Sequence, residues 1–211
     1  MPERPAYCGT VDNALFDAIN DDFEPRTLWA HSAMKLYAND GIVLFALLLL
    51  CGYLLARHRR DITGVATALW AGAAALIALA IGQVIGNLVD RARPYDTLTN
   101  VHLLVHRTAD FSFPSDHATV VGAVAAGLWF VDRRLGVVAA VAAAMMAFTR
   151  VYVGAHYPFD VLAGLALGAG VAILGRKLIV PLLSRLVGRV ASSPFGWVVA
   201  APDRSHVPVG G

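Results

Sequence analysis

Long uncharged apolar segments alternate with short polar turns along most of this chain. A transmembrane helix needs about 20 consecutive, mostly apolar residues. Five segments come close to this length, at residues 28–56, 62–88, 115–131, 135–153 and 158–174. None of them shows the strict apolar–polar alternation that is typical of a half-buried β-strand. The pattern therefore predicts an all-α, polytopic membrane helix bundle with five spanning helices.

Two further segments have the spacing of helices that lie at a membrane surface. In residues 11–19, the apolar side chains of Leu15, Phe16 and Ile19 fall on one helical face. Residues 179–190 form either a second helix of this kind or a sixth, partial span. We therefore expect three regions, which are an N-terminal segment with an interfacial helix (residues 1–27), a membrane domain that carries the function (28–178) and a cytoplasmic C-terminal tail (179–211).

Composition supports a membrane protein and excludes several other classes. Of the 211 residues, 57% are hydrophobic and only 15% are charged, and the mean hydropathy is +0.61, whereas about a quarter of the residues in soluble domains are charged. The net charge is +2 and the basic residues are scattered, so we expect no nucleic-acid partner. Cys8 and Cys51 show neither metal-ligand spacing nor a disulfide framework.

The positions of the basic residues predict how the chain is oriented in the membrane. Cytoplasmic loops are enriched in Lys and Arg. Such residues occur in the first turn, the third turn and the C-terminal tail, at Arg57, Arg59, Arg60, Arg133, Arg134, Arg176, Lys177, Arg185 and Arg189. The acidic N-terminus, the loop at residues 90–114 and the turn at residues 150–157 then lie on the extracytoplasmic side.

Three polar clusters stand beside apolar segments on this extracytoplasmic side, at residues 91–94, 113–117 and 149–160. Ionisable side chains close to a membrane span are costly to bury, and they usually lie in a cavity with a partner. Each cluster is therefore a candidate functional site.

The last cluster contains a histidine and an aspartate at the start of a helix. Pro158 suits the first turn of a helix, so His156 lies just before that helix and Asp160 in its opening turn. An aspartate that accepts a hydrogen bond from one imidazole nitrogen leaves the other nitrogen free to act as a nucleophile. The alternative is an interfacial histidine beside a helix-start aspartate, without a catalytic role.

The middle cluster has the features of an anion site. Ser115 follows Pro114 and is a good N-cap, and the free N–H groups of a helix N-terminus bind phosphate oxygens. His117 is placed to protonate a leaving oxygen. The alternative is an ordinary capped helix with a surface histidine. Asp116 either repels a phosphate or tunes the acidity of His117, and we assign it no catalytic role.

Arg93 and Arg150 supply planar, permanently charged groups that bind phosphate oxygens in pairs. Either arginine is alternatively an interfacial anchor. The carboxylates do not cluster as Mg²⁺ or Ca²⁺ sites require, and no Cys/His set suits zinc. The sequence therefore predicts a phosphate site with no metal and no cofactor.

These clusters resemble the three motifs of the type 2 phosphatidic acid phosphatase superfamily, which are Lys-x6-Arg-Pro, Pro-Ser-Gly-His and Ser-Arg-x5-His-x3-Asp. The corresponding residues here are Arg93-Pro94, then Pro114-Ser115-Asp116-His117, then Thr149-Arg150, His156 and Asp160. The resemblance covers about residues 62–168. It implies that His156 attacks phosphorus to form a phosphohistidine, that Asp160 orients it and that His117 protonates the leaving group. It also implies that Arg93, Ser115 and Arg150 bind the phosphoryl oxygens.

The chain departs from these motifs at three positions. Gly86 stands where the family has lysine, Asp116 replaces the glycine of the second motif, and Thr149 replaces the serine of the third. Loss of the lysine removes one phosphate contact. Either Arg91 partly replaces the lysine, or the substrate needs fewer positive charges.

The combination of motifs looks most like the bacitracin-resistance type of undecaprenyl-diphosphate phosphatase. That resemblance implies an enzyme of the bacterial plasma membrane that removes the terminal phosphate of undecaprenyl diphosphate on the extracytoplasmic side, so that the carrier lipid is recycled for cell-wall synthesis. The expected partners are a lipid phosphate and the bilayer. Alternatives are a phosphatase of phosphatidic acid or phosphatidylglycerophosphate, and a non-catalytic relative that binds lipid. Vanadate-dependent haloperoxidases share the fold, but we expect those to be soluble.

Overall fold

The computed structural model describes residues 6–200, and all the regular structure in this range is helical. The helices are α1 (Ala6–Asp17), a π-helical turn (Ala18–Phe23), a 3₁₀ segment (Glu24–Ala30), α2 (His31–Asp40), α3 (Ile42–His58), α4 (Ile62–Val89), α5 (Pro94–Thr97), α6 (Asp116–Val131), α7 (Arg133–Tyr152), α8 (Pro158–Leu178), α9 (Val180–Ala191) and a final 3₁₀ turn (Gly196–Val198). The outer parts of the predicted N-terminal segment and C-terminal tail, residues 1–5 and 201–211, lie outside the described residues.

Helix α6 lies at the centre of the bundle, where it packs against α4, α7 and α8. Glycines on α8 allow this helix to approach α6 very closely. A Cβ atom on Gly164 would lie 2.6 Å from the carbonyl oxygen of Ser115, and one on Gly168 would meet the carbonyl oxygen of Thr119. Small residues at a four-residue spacing allow such close contact between membrane helices. The start of α6 is thereby held directly against the start of α8.

The all-α membrane bundle is confirmed, and the described part of the chain has three to four candidate spans by length and composition, fewer than the five or six predicted. Within residues 6–200, three helical segments are long and apolar enough to cross a membrane: Ile62–Thr97, Arg133–Tyr152 and Pro158–Leu178. A fourth span results if Arg26–Asp40 and Ile42–His58, which are bent by 58°, are counted as one.

The helices outside this count are the shorter ones. Helix α6 has 16 residues and a length of about 24 Å, whereas the hydrocarbon core is about 30 Å thick. Neighbouring helices bury most of its side chains, and it runs from the end of the bundle that holds Ser115 to the end that holds Asp132. Helix α9 has only 12 residues and is too short to form a sixth span.

The three basic segments lie together at one end of the bundle. Arg59 forms a salt bridge of 2.9 Å with Asp132, which joins the α3–α4 turn to the α6–α7 turn. The guanidinium of Arg57 donates to the carbonyl oxygen of Trp197, which brings the C-terminal segment to the same end. Since α4 starts at this end, its C-terminus and the three polar clusters lie at the opposite end.

Helix α1 packs onto the end of the bundle that holds the polar clusters. Phe16 is fully buried, and its ring centroid lies 5.6 Å from that of Tyr157. Just after α1, the side chain of Asn20 donates to the carbonyl oxygens of His102 and Tyr152 at 3.0 and 2.9 Å. The predicted helix at residues 11–19 therefore overlaps a real helix, which begins earlier and makes polar contacts with the rest of the protein.

Candidate active site

The turn between α7 and α8 places His156 at the centre of the polar clusters. Helix α7 ends at Tyr152, and Gly154 then adopts a φ of +76°, which disfavours any side chain. A Cβ atom at Gly154 would also lie 2.8 Å from the side chain of Val101. Pro158 starts α8 in the first helical turn. The short, tight turn between the two helices leaves His156 directly in front of the N-terminus of α8.

Both ring nitrogens of His156 have a partner inside the protein. Nδ1 lies 2.8 Å from the carbonyl oxygen of Ser112, and Nε2 lies 3.2 Å from Nη1 of Arg93. A carbonyl oxygen only accepts, so Nδ1 carries the proton and Nε2 keeps its lone pair. The ring is 2% exposed. The imidazole is thus fixed in one tautomer, and its unprotonated nitrogen accepts from Arg93.

The surroundings of His156 keep the ring neutral. Burial lowers the pKa of His156 well below its usual range, because the charged form loses its hydration, and the positive charges of Arg150 and Arg93 lower it further. A neutral imidazole is the form that acts as a nucleophile.

Asp160 lies close to His156 but does not bind it directly in this structure. The distance from Oδ2 of Asp160 to Nδ1 of His156 is 3.9 Å, which is too long for a hydrogen bond. Oδ2 instead accepts from the Ser112 hydroxyl at 2.5 Å and from the backbone N–H of Tyr157 at 2.9 Å. Asp160 therefore holds Ser112, and the carbonyl oxygen of Ser112 holds the imidazole ring.

Arg93 is buried, and its guanidinium group joins two loops. It donates to the carbonyl oxygens of Ala155 at 3.0 Å and Asp110 at 3.2 Å, and it forms an ion pair of 3.0 Å with the Asp110 carboxylate. Burial alone would raise the pKa of Asp110, but a hydrogen bond from Thr108 and the charge of Arg93 lower it overall. The guanidinium is thereby fixed next to Nε2 of His156.

Ser115 and Arg150 each present a buried polar atom that is unsatisfied within residues 6–200. Ser115 is fully buried, and its hydroxyl has no hydrogen-bond partner and does not cap α6. The side chain of Arg150 is 8% exposed and donates from Nη1 to the carbonyl oxygen of Ala38, but its Nε has no partner. Buried polar groups in native proteins are nearly always paired, so these atoms fit a bound anion such as phosphate.

His117 lies in the first turn of α6 and is partly buried. It is within electrostatic range of Arg93, Arg150 and His156. The structure therefore brings five of the six predicted site residues near one another, with His156 and His117 both within electrostatic range of the two arginines, and it places Asp160 behind His156. Within the described part of the chain, no three His, Cys, Asp or Glu side chains converge as a metal site would require.

Each of the three positions that depart from the family motifs has a defined local environment. A Cβ atom on Gly86 would lie 3.1 Å from the carbonyl oxygen of Phe113, so a longer side chain would press on the loop before α6. Asp116 accepts hydrogen bonds of 2.9 and 2.8 Å from the side chain of Gln83, one turn before Gly86. Thr149 donates to the carbonyl oxygen of Met145 within α7.

Arg91 does not take the place of the missing lysine. Its two terminal nitrogens donate to Asp160 and to Asp12, both at 2.6 Å. Sequence reasoning missed Asp12 and Ser112 altogether. Asp12 is 148 residues before Asp160 along the chain, and neither Asp12 nor Ser112 lies within a recognisable motif. Nothing in the local sequence indicates contacts of such long range.

Comparison with known proteins identifies the family. The family model of the PAP2 superfamily matches residues 67–182, which contain all six predicted site residues. The chain belongs to the PAP2 superfamily. The resemblance seen in the motifs is therefore confirmed.

Several PAP2 relatives act on lipid phosphates. Undecaprenyl-diphosphatase BcrC of Bacillus subtilis is 32% identical over 145 residues, which are 68% of this chain and 72% of the relative. Decaprenylphosphoryl-5-phosphoribose phosphatase of Mycobacterium tuberculosis is 39% identical over 167 residues, which are 78% of this chain and 84% of the relative. With another undecaprenyl-diphosphatase, the alignment spans only half of the relative's length.

A solved structure supports the fold. The transmembrane PAP2-type phosphatidylglycerolphosphate phosphatase of Bacillus subtilis superposes with a TM-score of 0.58 at 23% identity, over 83% of this chain and 87% of that one. The protein is thus a multi-pass membrane protein with the fold of the transmembrane PAP2 phosphatases.

Proposed function

We propose that this PAP2 protein hydrolyses the terminal phosphate of undecaprenyl diphosphate, or of another polyprenyl diphosphate, through a phosphohistidine intermediate. The observation that carries the chemistry is the position of His156, whose Nε2 lone pair lies 3.2 Å from Arg93 while Nδ1 is held by Ser112. The similarity to BcrC supports the choice of lipid.

The proposed reaction has two steps. Nε2 of His156 attacks phosphorus, the bond from phosphorus to the leaving oxygen breaks, and His117 gives its proton to that oxygen. A water molecule then loses a proton to His117 and attacks the phosphohistidine, which releases inorganic phosphate and restores His156. Arg93, Arg150 and Ser115 bind the phosphoryl oxygens, on which charge accumulates in both transition states.

The proposed sidedness rests on the distribution of charge. Arg59 binds the α6–α7 turn and Arg57 binds the C-terminal segment, so the three basic segments share one end of the bundle. Lys- and Arg-rich loops are retained in the cytoplasm. We therefore place His156 on the extracytoplasmic side of the bacterial plasma membrane, where a carrier lipid is recycled during peptidoglycan synthesis.

A second substrate has specific support. The relative with 39% identity is named for decaprenylphosphoryl-5-phosphoribose, which also carries a phosphate on a polyprenyl-linked lipid. The same site and the same two steps would serve that reaction. Phosphatidic acid and phosphatidylglycerophosphate remain further alternatives for the same chemistry.

The test is phosphate release by purified protein in detergent, with EDTA present, on four substrates: undecaprenyl diphosphate, decaprenylphosphoryl-5-phosphoribose, phosphatidic acid and phosphatidylglycerophosphate. We expect the highest kcat/KM on undecaprenyl diphosphate, and no release or acid-labile phosphoenzyme with His156→Ala. A preference for another lipid would overturn the substrate assignment. Full activity of His156→Ala would overturn the nucleophile, and a lack of activity on every lipid would leave a non-catalytic relative.

A further inference from the structure

One feature of the site lies outside the family motifs, namely the contact between helix α1 and Arg91. We propose that Asp12 on α1 is a positioning residue, which acts through Arg91 and Asp160 to hold His156 for attack on phosphorus. This proposal rests on the proposed function, because it assumes that His156 is the nucleophile. It makes the N-terminal helix part of the catalytic unit.

Asp12 uses both carboxylate oxygens to join α1 to the site. The residue is 1% exposed. Oδ1 accepts from the backbone N–H of Phe159 at 3.0 Å, and Oδ2 accepts from Nη2 of Arg91 at 2.6 Å. Phe159 lies in the first turn of α8, where N–H groups have no partner within the helix. Asp12 therefore binds both the start of α8 and the side chain that holds Asp160.

Arg91 bridges two buried carboxylates. Nη1 donates to Asp160 and Nη2 to Asp12, and the guanidinium group stacks over the ring of Tyr157 at 4.1 Å from its centroid. Arg91 itself is partly exposed, with 23% of its side chain accessible. A guanidinium with one buried partner at each terminal nitrogen has one orientation, whereas loss of Asp12 would leave one nitrogen unpaired and the group free to turn towards solvent.

The path from Arg91 to His156 consists of short contacts. Because Arg91 occupies Oδ1 of Asp160, the other oxygen, Oδ2, accepts from the Ser112 hydroxyl and from the N–H of Tyr157. The carbonyl oxygen of Ser112 then holds Nδ1 of His156. A turn of the Asp160 carboxylate would move Ser112, and with it the imidazole ring. A displacement of about 1 Å at a reacting group lowers rates on the order of 100-fold.

The test compares two anions that use the site differently. Orthovanadate adopts five-coordinate geometry with the nucleophile as the fifth ligand, so its affinity depends on the position of Nε2, whereas inorganic phosphate needs only the arginines and Ser115. Both affinities are measured by calorimetry on the full-length protein in detergent. Asp12→Asn keeps an oxygen for the Phe159 N–H and removes the ion pair with Arg91.

We expect Asp12→Asn to weaken vanadate binding about tenfold, equivalent to about 1.4 kcal/mol, with the phosphate affinity changed by less than about twofold. In an Arg91→Gln background, Asp12→Asn should have no further effect, because the group through which it acts is gone. Arg91→Lys provides a milder version if Arg91→Gln does not fold. Asp96→Asn is the matched control, since it removes an exposed ion pair with Arg107 at 3.5 Å and should leave both affinities unchanged.

The outcomes separate this inference from the proposed function. If the parent binds vanadate tightly and Asp12→Asn does so equally well, the positioning role is wrong and the phosphatase assignment stands. An equal loss of vanadate and phosphate affinity would show a general structural role, as would an undiminished effect of Asp12→Asn beside Arg91→Gln. If the parent binds vanadate no better than phosphate, the nucleophilic role of His156, and with it the proposed mechanism, fails.

Discussion

Replacing Ser115 with alanine distinguishes a phosphate-binding hydroxyl from an ordinary helix cap. Ser115 is fully buried, and its hydroxyl neither caps α6 nor bonds to any residue within the described range. Removing an unsatisfied buried hydroxyl should leave the free energy of unfolding unchanged or raise it by about 1 kcal/mol. A bound phosphoryl group would accept a charge-assisted hydrogen bond from this hydroxyl, worth about 1.5–3 kcal/mol. Ser115→Ala should therefore lower kcat/KM roughly 10- to 150-fold.

The assay combines phosphate release from the preferred lipid with thermal unfolding of the same detergent-purified protein. Thr119→Val serves as the control, because Thr119 is equally buried one turn further along α6 and its hydroxyl already donates to the carbonyl oxygen of Ser115 at 2.9 Å. We expect full activity in this variant. If Ser115→Ala instead lowered the melting temperature and left kcat/KM intact, the hydroxyl would be a helix cap and the phosphate-binding assignment would be refuted.

Two further predictions concern pH and helix packing. Since burial, Arg150 and Arg93 lower the pKa of His156 well below 6.5, its imidazole should stay neutral from about pH 8 to about pH 6. Its contribution to stability should be present above pH 6.5 and lost as the pH falls through the folded-state value, because the unfolded chain takes up the proton first. Nitrogen NMR of labelled histidines, with the His156 signal assigned through His156→Asn, checks this, and a midpoint at or above 6.5 would contradict it. Gly164→Val should destabilise the protein by about 1–3 kcal/mol, because its side chain would meet the Ser115 carbonyl at 2.6 Å from Cβ. Gly170→Val is the control, since Gly170 has no neighbour within 4 Å of a Cβ atom, and equal melting temperatures for the two variants would show that α6 and α8 are less tightly packed than described.

The motif residues were predictable because each carries a local signal. His156 precedes a proline at a helix start, Ser115 follows Pro114, and Asp160 keeps the family spacing to His156. The spacing predicted that Asp160 lies beside His156, but it did not predict that Ser112 connects the two side chains. The hydrogen bond to Nδ1 comes from the Ser112 carbonyl oxygen, and a backbone carbonyl is present at every residue, so no residue type marks it.

The span count shows the corresponding limit for the fold. Hydrophobicity measures the cost of exposing a segment to water, and both lipid and a protein core relieve that cost. The segment that contains α6 is apolar on all sides, and α4, α7 and α8 surround it. Only helix length and packing in three dimensions show that α6 is a short helix at the centre of the bundle.

The sequence by itself determined the helical membrane class and the family, and it indicated six candidate residues for a phosphate site, because hydrophobic runs and motif spacings are local properties of the chain. The tertiary structure alone decided how those residues are held. It showed that Arg91 faces Asp12 and Asp160 instead of a phosphate, that Gly86 leaves room for the Phe113 carbonyl, and that α1 reaches the site. These contacts join residues up to 147 positions apart, and their partners are selected by packing, which only the folded chain defines.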